Sequence, residues 1–446
     1  MIVMKFGGSS VANAERIRHV GSIVKTQIQK KPVLVLSAMG DTTDHLLEAG
    51  NLALKEGKVE TKLIEKLHNE TIKDLKLPVQ REVAEIFDEL TRLLSGIALI
   101  RDLTPRTRDF LVSFGERLSV RITAAHLKSA GMNARAFDAW EMGFLSDSNH
   151  GQAELQKESW DLIPGKIIPQ IKGNVLPVVT GFIAKDENGS ITTLGRGGSD
   201  LSATMIAAAC RAEEVQVWKD VDGILTADPR MVKNVHPVQY VTYDEAAELA
   251  YFGAQVLHPR AMRPCMKTGT PVLVKNSYNI EAPGTRIEQA LTSAKKSPPV
   301  RAITSKKNVT LVDIVSTRML GQYGFLAEVF STFAKHSISI DMVATSEVSV
   351  SLTLETAYDL AEVKKSLSKI ANVEVKTGRA IVSIIGNVKR SSEILARTFR
   401  ICQLIGVPVQ MISQGASKVN IGFIVADTET EEVVKALHLE FFEGAD

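Results

Sequence analysis

Two glycine-rich turns, far apart in the chain and each set behind an apolar run, restrict the possible folds more than any other feature. Lys5-Phe6-Gly7-Gly8-Ser9-Ser10 directly follows Ile2-Val3-Met4. Gly195-Arg196-Gly197-Gly198-Ser199-Asp200 comes shortly after Val178-Val179-Thr180-Gly181-Phe182-Ile183. A short apolar run reads as a buried strand, and a glycine turn behind it as the entry to a helix. Glycine lets backbone N–H groups approach a phosphate closely, and a helix starting at the turn adds its positive end. One turn carries a Lys, the other an Arg and an Asp. Together they predict a site that grips phosphates and a small acidic substrate.

The first turn belongs to a strand–helix–strand pattern. Residues 2–6 form an apolar run, Ile17, Val20, Ile23, Val24 and Ile28 recur at helical spacing, and Pro32 precedes Val33-Leu34-Val35-Leu36. A crossover of that length makes the two strands parallel, so their C-terminal loops, 7–10 and 37–43, should lie side by side where open α/β sheets bind ligands. Residues 44–130 read as mostly helical. Strand-like runs return at 175–184, 215–218 and 271–275, separated by helix-like 202–210 and 244–251. The alternation predicts a three-layer α/β domain to about residue 290. The polar stretch 291–300, with Pro298 and Pro299, predicts a linker. After it, 309–315, 325–335, 338–344 and 348–354 read strand, helix, strand, strand, and 380–385, 392–404, 407–412 and 419–425 repeat that order. Two small βαββ units in tandem are expected, which with the first domain fits a 446-residue chain too long for one core.

Composition removes several function classes. With 53 basic and 51 acidic residues the net charge is +2, which leaves no footprint for nucleic acid or an anionic membrane. No apolar run approaches the roughly 20 residues that span a bilayer, and no basic segment leads into a long apolar one at the start, so a cytoplasmic protein is expected. Cys210, Cys265 and Cys402 are widely spaced, with no CxxC or HExxH pattern, so neither a disulfide framework nor a zinc site is indicated. Neither GxxxxGK[ST] nor a GxGxxG loop with downstream HRD and DFG is present, so phosphoryl transfer would need another scaffold.

Lys5, at a strand end before two glycines, suits a point charge on a migrating phosphate; the plainer reading is a solvated lysine. Arg196 can fork a carboxylate, worth roughly 1.5–3 kcal/mol. The plainer reading of its turn is a cap for a helix starting near Leu201, with Ser199 or Asp200 as N-cap. Glu116, after Phe114-Gly115, reads on its own as a solvated residue near a helix entry. The acidic loop Lys219-Asp220-Val221-Asp222-Gly223 suits ribose or a Mg²⁺-phosphate, and a surface turn equally well.

In combination and order, KFGGSS at 5–10, LSAMGDTT at 36–43, SFGERLS at 113–119, TTLGRGGSD at 192–200, KDVDGILTADPR at 219–230 and FGAQVLHP at 252–259 resemble the aspartate kinase family. The resemblance covers essentially the whole chain. It implies a three-layer αβα amino-acid kinase fold over 1–290, a linker, and two ferredoxin-like βαββαβ ACT domains over 301–375 and 376–446 that exchange strands. It implies transfer of the ATP γ-phosphate, with Mg²⁺ carried by the nucleotide, to the β-carboxylate of L-aspartate, the first step towards lysine, threonine and methionine. At matching positions Lys5 and the Gly7-Gly8-Ser9 backbone would hold phosphate and Asp200 would organise the reacting end. Ser37, Thr43 and Ser199 would line the aspartate pocket, Glu116 would take the ammonium and Arg196 a carboxylate. Lys219, Asp220, Leu225, Arg230, Gln255 and Val256 match the nucleotide pocket; relatives often have an aromatic in place of Leu225 and a Lys in place of Gln255. Met319, Gln322, Gly324, Phe325, Leu326, Ile340, Asp341, Thr345, Ser346 and Glu347 match a lysine effector site, in a homodimer or dimer of dimers built through the ACT domains. Another amino-acid kinase would not be expected to combine SFGERLS with two ACT-like units. A catalytically silent sensor would have no reason to keep Lys5, Glu116, Arg196 and Asp200.

Overall fold

The computed structural model describes residues 1–78, 81–252, 257–289, 298–316, 323–386, 390–414 and 419–444. Most of the expected 291–300 linker lies outside them, as do Gln255, Val256, Met319 and Gln322. The chain forms two compact units. The first comprises Met1–Ile224, Gln239–Tyr243 and Val256–Leu291; the second comprises Leu225–Val238, Asp244–Gln255 and Thr292–Asp446.

The first unit begins with β1 (Val3–Phe6), α1 (Ala14–Gln27) and β2 (Val33–Leu36). Asn13 caps α1 by accepting from the Arg16 N–H. The helical region resolves into α2 (Thr42–Glu56), α3 (Lys62–Asp74), α4 (Arg81–Ile100) and α5 (Pro105–Ser129). Val83, Ile86, Leu90, Leu94 and Ile97 place one apolar stripe of α4 in the core. Thr104 accepts from the Thr107 N–H and Pro105 opens α5, where a missing N–H costs nothing. Then come β3 (Ala134–Phe137), β4 (Leu145–Ser146), α6 (Ser159–Lys172), β5 (Leu176–Thr180), β6 (Ile183–Asp186), β7 (Ile191–Thr193), α7 (Gly198–Ala209) and β8 (Val215–Lys219). The last elements are β9 (Tyr240–Thr242), α8 (Tyr243–Tyr251), α9 (Pro259–Thr268), β10 (Val272–Asn276) and β11 (Thr285–Glu288), α8 passing into the second unit after its first residue.

The main sheet runs β3-β5-β2-β1-β8-β10-β11-β9. Its first six strands are all parallel, and β11 pairs antiparallel with β10. β1 and β2, buried throughout, therefore end on the same edge, as the crossover predicts.

The second unit holds β12 (Val300–Val315), α10 (Phe325–Lys335), β13 (Met342–Thr345), β14 (Ser349–Glu355), α11 (Ala361–Leu367), β15 (Asn372–Gly386), α12 (Ser391–Leu404), β16 (Met411–Ser413), β17 (Asn420–Ala426) and α13 (Thr430–His438). These strands make one sheet, β13-β14-β12-β15-β17-β16. The expected strand at 309–315 is only the second half of β12, and 380–385 only the second half of β15. The polar break at Ser305-Lys306-Lys307-Asn308 is a bulge, with Asn308 at φ 57°, inside one continuous strand. The first half of β12 pairs with the second half of β15, while its second half pairs with β14 and the start of β15. Residues 338–344 and 407–412 give shorter strands than expected, starting at Met342 and Met411. Segments from before the sheet also belong to this unit: Ala227 and Val232 enter the core with Val300, Phe423 and Val433. On α8, Glu245 lies 3.5 Å from Arg301. Glu248 accepts from the Asn420 amide, and the Tyr251 hydroxyl donates to Asp341.

Candidate active site

The loops behind β1 and β2 are stapled together. The Gly40 N–H donates to the Gly8 carbonyl at 3.1 Å. A Cβ on Gly8 would stand 2.9 Å from the Ala38 carbonyl oxygen, so only glycine fits there. Helix α5 presses on the same loop: a Cβ on Gly115 would stand 2.7 Å from Ala38 Cβ. Next along that helix, Glu116 Oε1 accepts from the Ala38 N–H at 3.1 Å.

At the second glycine turn, α7 begins at Gly198 with Gly197 as its N-cap at φ 75°, a left-handed conformation that suits glycine. This corrects the expected start near Leu201. Ser199 and Asp200 lie inside the first turn, and neither side chain caps the helix.

These pieces border an open cavity of about 500 Å³. Lys5 and Gly8 from the first turn, Ser37 and Thr43 from the second loop, Glu116 from α5, and Arg196, Ser199 and Asp200 from the second turn all line it. Ala38 and Gly40 of the second loop and Gly195, Gly197 and Gly198 of the second turn line it too, as does Phe182, which the sequence reading gave no part in the site. Phe182 carries a signal only in three dimensions, a left-handed φ of 67° that a bulky residue rarely adopts. Gly7 and Ser9 are not among the lining residues. Lys219 and Asp220 end and follow β8, neighbour of β1. Leu225 and Arg230 belong to the second unit, where Arg230 forks onto Asp228.

The charges in the cavity are arranged unevenly. Lys5 Nζ lies 2.6 Å from Asp200 Oδ1, with both side chains about nine-tenths buried. Burial holds the Lys219 ammonium below its ordinary range, against the opposing pull of Asp200. Arg196 is exposed at the rim. Glu116 is 3% exposed, in the middle of a 25-residue helix, which overturns both its expected solvated face and its place at a helix entry. Burial pushes its carboxyl up from 4.5 to about 8, against the Ala38 hydrogen bond that lowers it. Its second oxygen, Oε2, is buried with no hydrogen-bond partner among the described residues. An unpartnered buried carboxylate oxygen on a residue that lines the cavity suits a cationic donor.

The effector-site positions described by the structure all lie in the second unit. Gly324 caps α10, and Phe325 and Leu326 begin it. Ile340 and Asp341 lead into β13, Thr345 ends it, and Ser346 and Glu347 follow. The Asp341 side chain, 5% exposed, is already engaged: it lies 2.9 Å from Lys306 Nζ and accepts from the Tyr251 hydroxyl at 2.8 Å.

An amino acid kinase family model matches residues 1–276, and an ACT domain model matches 312–369 and 382–441. The chain is 50% identical to Aspartokinase 1, chloroplastic, of Arabidopsis thaliana, over 100% of this chain and 80% of that protein. Among solved structures it resembles Escherichia coli aspartokinase III in complex with aspartate and ADP, with 32% identity and a TM-score of 0.80, over 99% of this chain and 100% of that one. It also resembles the same enzyme in complex with lysine and aspartate, with 32% identity and a TM-score of 0.81, over 99% of each chain.

Proposed function

The chain belongs to the aspartokinases of the amino acid kinase family, and we propose on that premise how its pocket performs the reaction. It uses ATP to phosphorylate the β-carboxylate of L-aspartate and is regulated by L-lysine. The observation that carries the assignment of roles is Glu116. A carboxylate with one oxygen held by Ala38 and the other buried and unpartnered suits the substrate ammonium. Arg196 takes a substrate carboxylate, and Ser37, Thr43 and Ser199 complete the wall. Lys5 and the Gly7-Gly8-Ser9 backbone hold the migrating phosphoryl group, whose charge a fixed ammonium stabilises without reorganisation. Asp200 holds Lys5 in place until the phosphate arrives. Lys219, Asp220, Leu225, Arg230, Gln255 and Val256 serve the nucleotide. Mg²⁺ would be carried by ATP and would offset the charge of its phosphates; Asp200, the carboxylate beside Lys5, would be the protein group to meet it.

An assay coupled to ADP release, run with aspartate and with glutamate as control, tests the activity. Turnover with glutamate in place of aspartate would overturn it. Arg196→Lys is expected to raise the aspartate KM about tenfold or more, because lysine keeps the charge but not the planar fork. An unchanged KM would remove Arg196 from substrate binding.

Lysine binds at paired ACT domains of a dimer or dimer of dimers, with Asp341 as partner of its side-chain ammonium. Asp341 already holds the ammonium of Lys306, so its carboxylate has the chemistry the role needs. Lysine, and not threonine, should raise the melting temperature, and the shift should largely vanish in Asp341→Ala while uninhibited turnover stays near wild type. A shift with threonine alone would overturn the effector, and a clean monomer at micromolar concentration the inter-chain site. Among the described residues no helix is long and apolar enough to cross a membrane. All three cysteines are free, which suits a reducing compartment such as the cytoplasm; the Arabidopsis relative is chloroplastic by name.

A further inference from the structure

We propose that Asp109 and Arg260, neither of which lines the cavity, are positioning residues that clamp the approach to Arg196 and so set how the pocket measures aspartate. The inference rests on the reading of Arg196 as a carboxylate ligand. An exposed arginine on a glycine-rich turn has many conformations to lose, and it forks a carboxylate well only if its backbone is fixed beforehand.

Asp109 supplies one side of the clamp. It lies on α5 and is 3% exposed. Four donors converge on its carboxylate: the Thr193 hydroxyl at 2.7 Å, the Thr193 N–H at 3.1 Å, the Gly151 N–H at 3.0 Å and His150 Nδ1 at 3.0 Å. Thr193 ends β7, three residues before Arg196. Arg260, on α9, supplies the other side. Its Nη1 donates to the Leu194 carbonyl at 2.8 Å and its Nη2 to the Ala153 carbonyl at 2.6 Å. The Ala153 N–H closes the frame by donating to the Thr193 carbonyl at 2.9 Å. Two adjacent segments, 150–153 and 193–194, are thus cross-linked by two buried or half-buried charges just before the chain reaches Gly195 and Arg196.

The placement of Asp109 adds a second point. It stands seven residues before Glu116, two turns along one helix, so both face the same side about 10 Å apart. One rigid element therefore carries the ammonium ligand and anchors the turn bearing the carboxylate ligand. The distance between the two ends of the substrate site is set by α5.

Asp109→Asn keeps the shape but turns a donor towards N–H groups that need an acceptor. Arg260→Lys keeps the charge but cannot span two carbonyls. Each variant, checked for folding by its melting curve, is expected to raise the aspartate KM about tenfold to a hundredfold, the scale of a roughly 1 Å misplacement. The ATP KM should stay within about twofold, kcat at saturating aspartate should hold, and preference for aspartate over glutamate should narrow. A merely structural role would lower the yield of folded enzyme without this split. Unchanged aspartate KM in the folded variants overturns the inference, and if Asp109→Asn does not fold, Arg260→Lys decides it alone. Arg196→Lys run in parallel separates the two claims. If it raises the aspartate KM and the clamp variants do not, only the clamp fails; if it does not, the carboxylate reading fails and takes the clamp with it.

Discussion

Replacing Lys5 with alanine is expected to lower kcat by about 10²–10³, the cost of losing one preorganised charge contact. The expectation follows from its place at the end of β1, where a buried ammonium faces the cavity beside a glycine turn. Its pairing with Asp200 complicates the test, because removing one partner leaves the other buried and uncompensated. Lys5→Ala should therefore also lose stability, and adding Asp200→Asn should restore much of the stability but none of the turnover. Melting curves and kcat measured on both variants separate the effects. Near-wild-type turnover in folded Lys5→Ala would remove Lys5 from phosphate handling.

The second large effect concerns Glu116, where function and stability pull in opposite directions. Its folded carboxyl titrates near 8 and the ordinary value is 4.5. Between those values the folded protein keeps a proton that the unfolded chain has released, so stability falls as pH rises through that window and levels off above it. Glutamine cannot ionise. Glu116→Gln should match wild type near pH 4 and exceed it at pH 8–9 by on the order of 4–5 kcal/mol. The same change should weaken aspartate binding about 10²-fold by removing the charge that meets the ammonium. In the wild type the cationic ammonium needs the ionised carboxylate, so the aspartate KM should fall as pH rises from 6 to 8, by up to about tenfold per unit. A flat KM over that range, or a variant no more stable at pH 9, would refute this account.

The parts of the site legible in the sequence are those written as backbone. Ile2-Val3-Met4 and Val33-Leu34-Val35-Leu36 are short, wholly apolar and followed by glycines, so strand, direction and the meeting of their loops all follow from local pattern. Glu116 was not legible by pattern. Its helix is buried on nearly every side from Leu111 to Val120, so no polar face exists to say which way a charged residue points. Only the resemblance carried its role. Phe182 was missed because in the sequence it reads only as part of the apolar run behind β5, and its left-handed φ of 67° shows only in the folded chain. Asp109 was missed because its four donors come from residues 150, 151 and 193, a convergence that no spacing in the chain reveals. In the second unit the expected strand began only at 309, because the polar run at 305–308 reads as a break, and a bulge and a turn use the same residues.

The chain enters the second unit three times, at Leu225–Val238, Asp244–Gln255 and Thr292–Asp446. The first two entries come from within the catalytic sequence, and they leave apolar and charged groups whose partners are Val300, Arg301, Asp341, Asn420, Phe423 and Val433. The regulatory half is thus no detachable appendix. A chain shortened to its first 290 residues would carry two orphaned segments, with Ala227 and Val232 stripped of their core. A cut near residue 290 is therefore expected to lower the melting temperature of what remains, because it removes the partners of Ala227, Val232, Glu245 and Glu248.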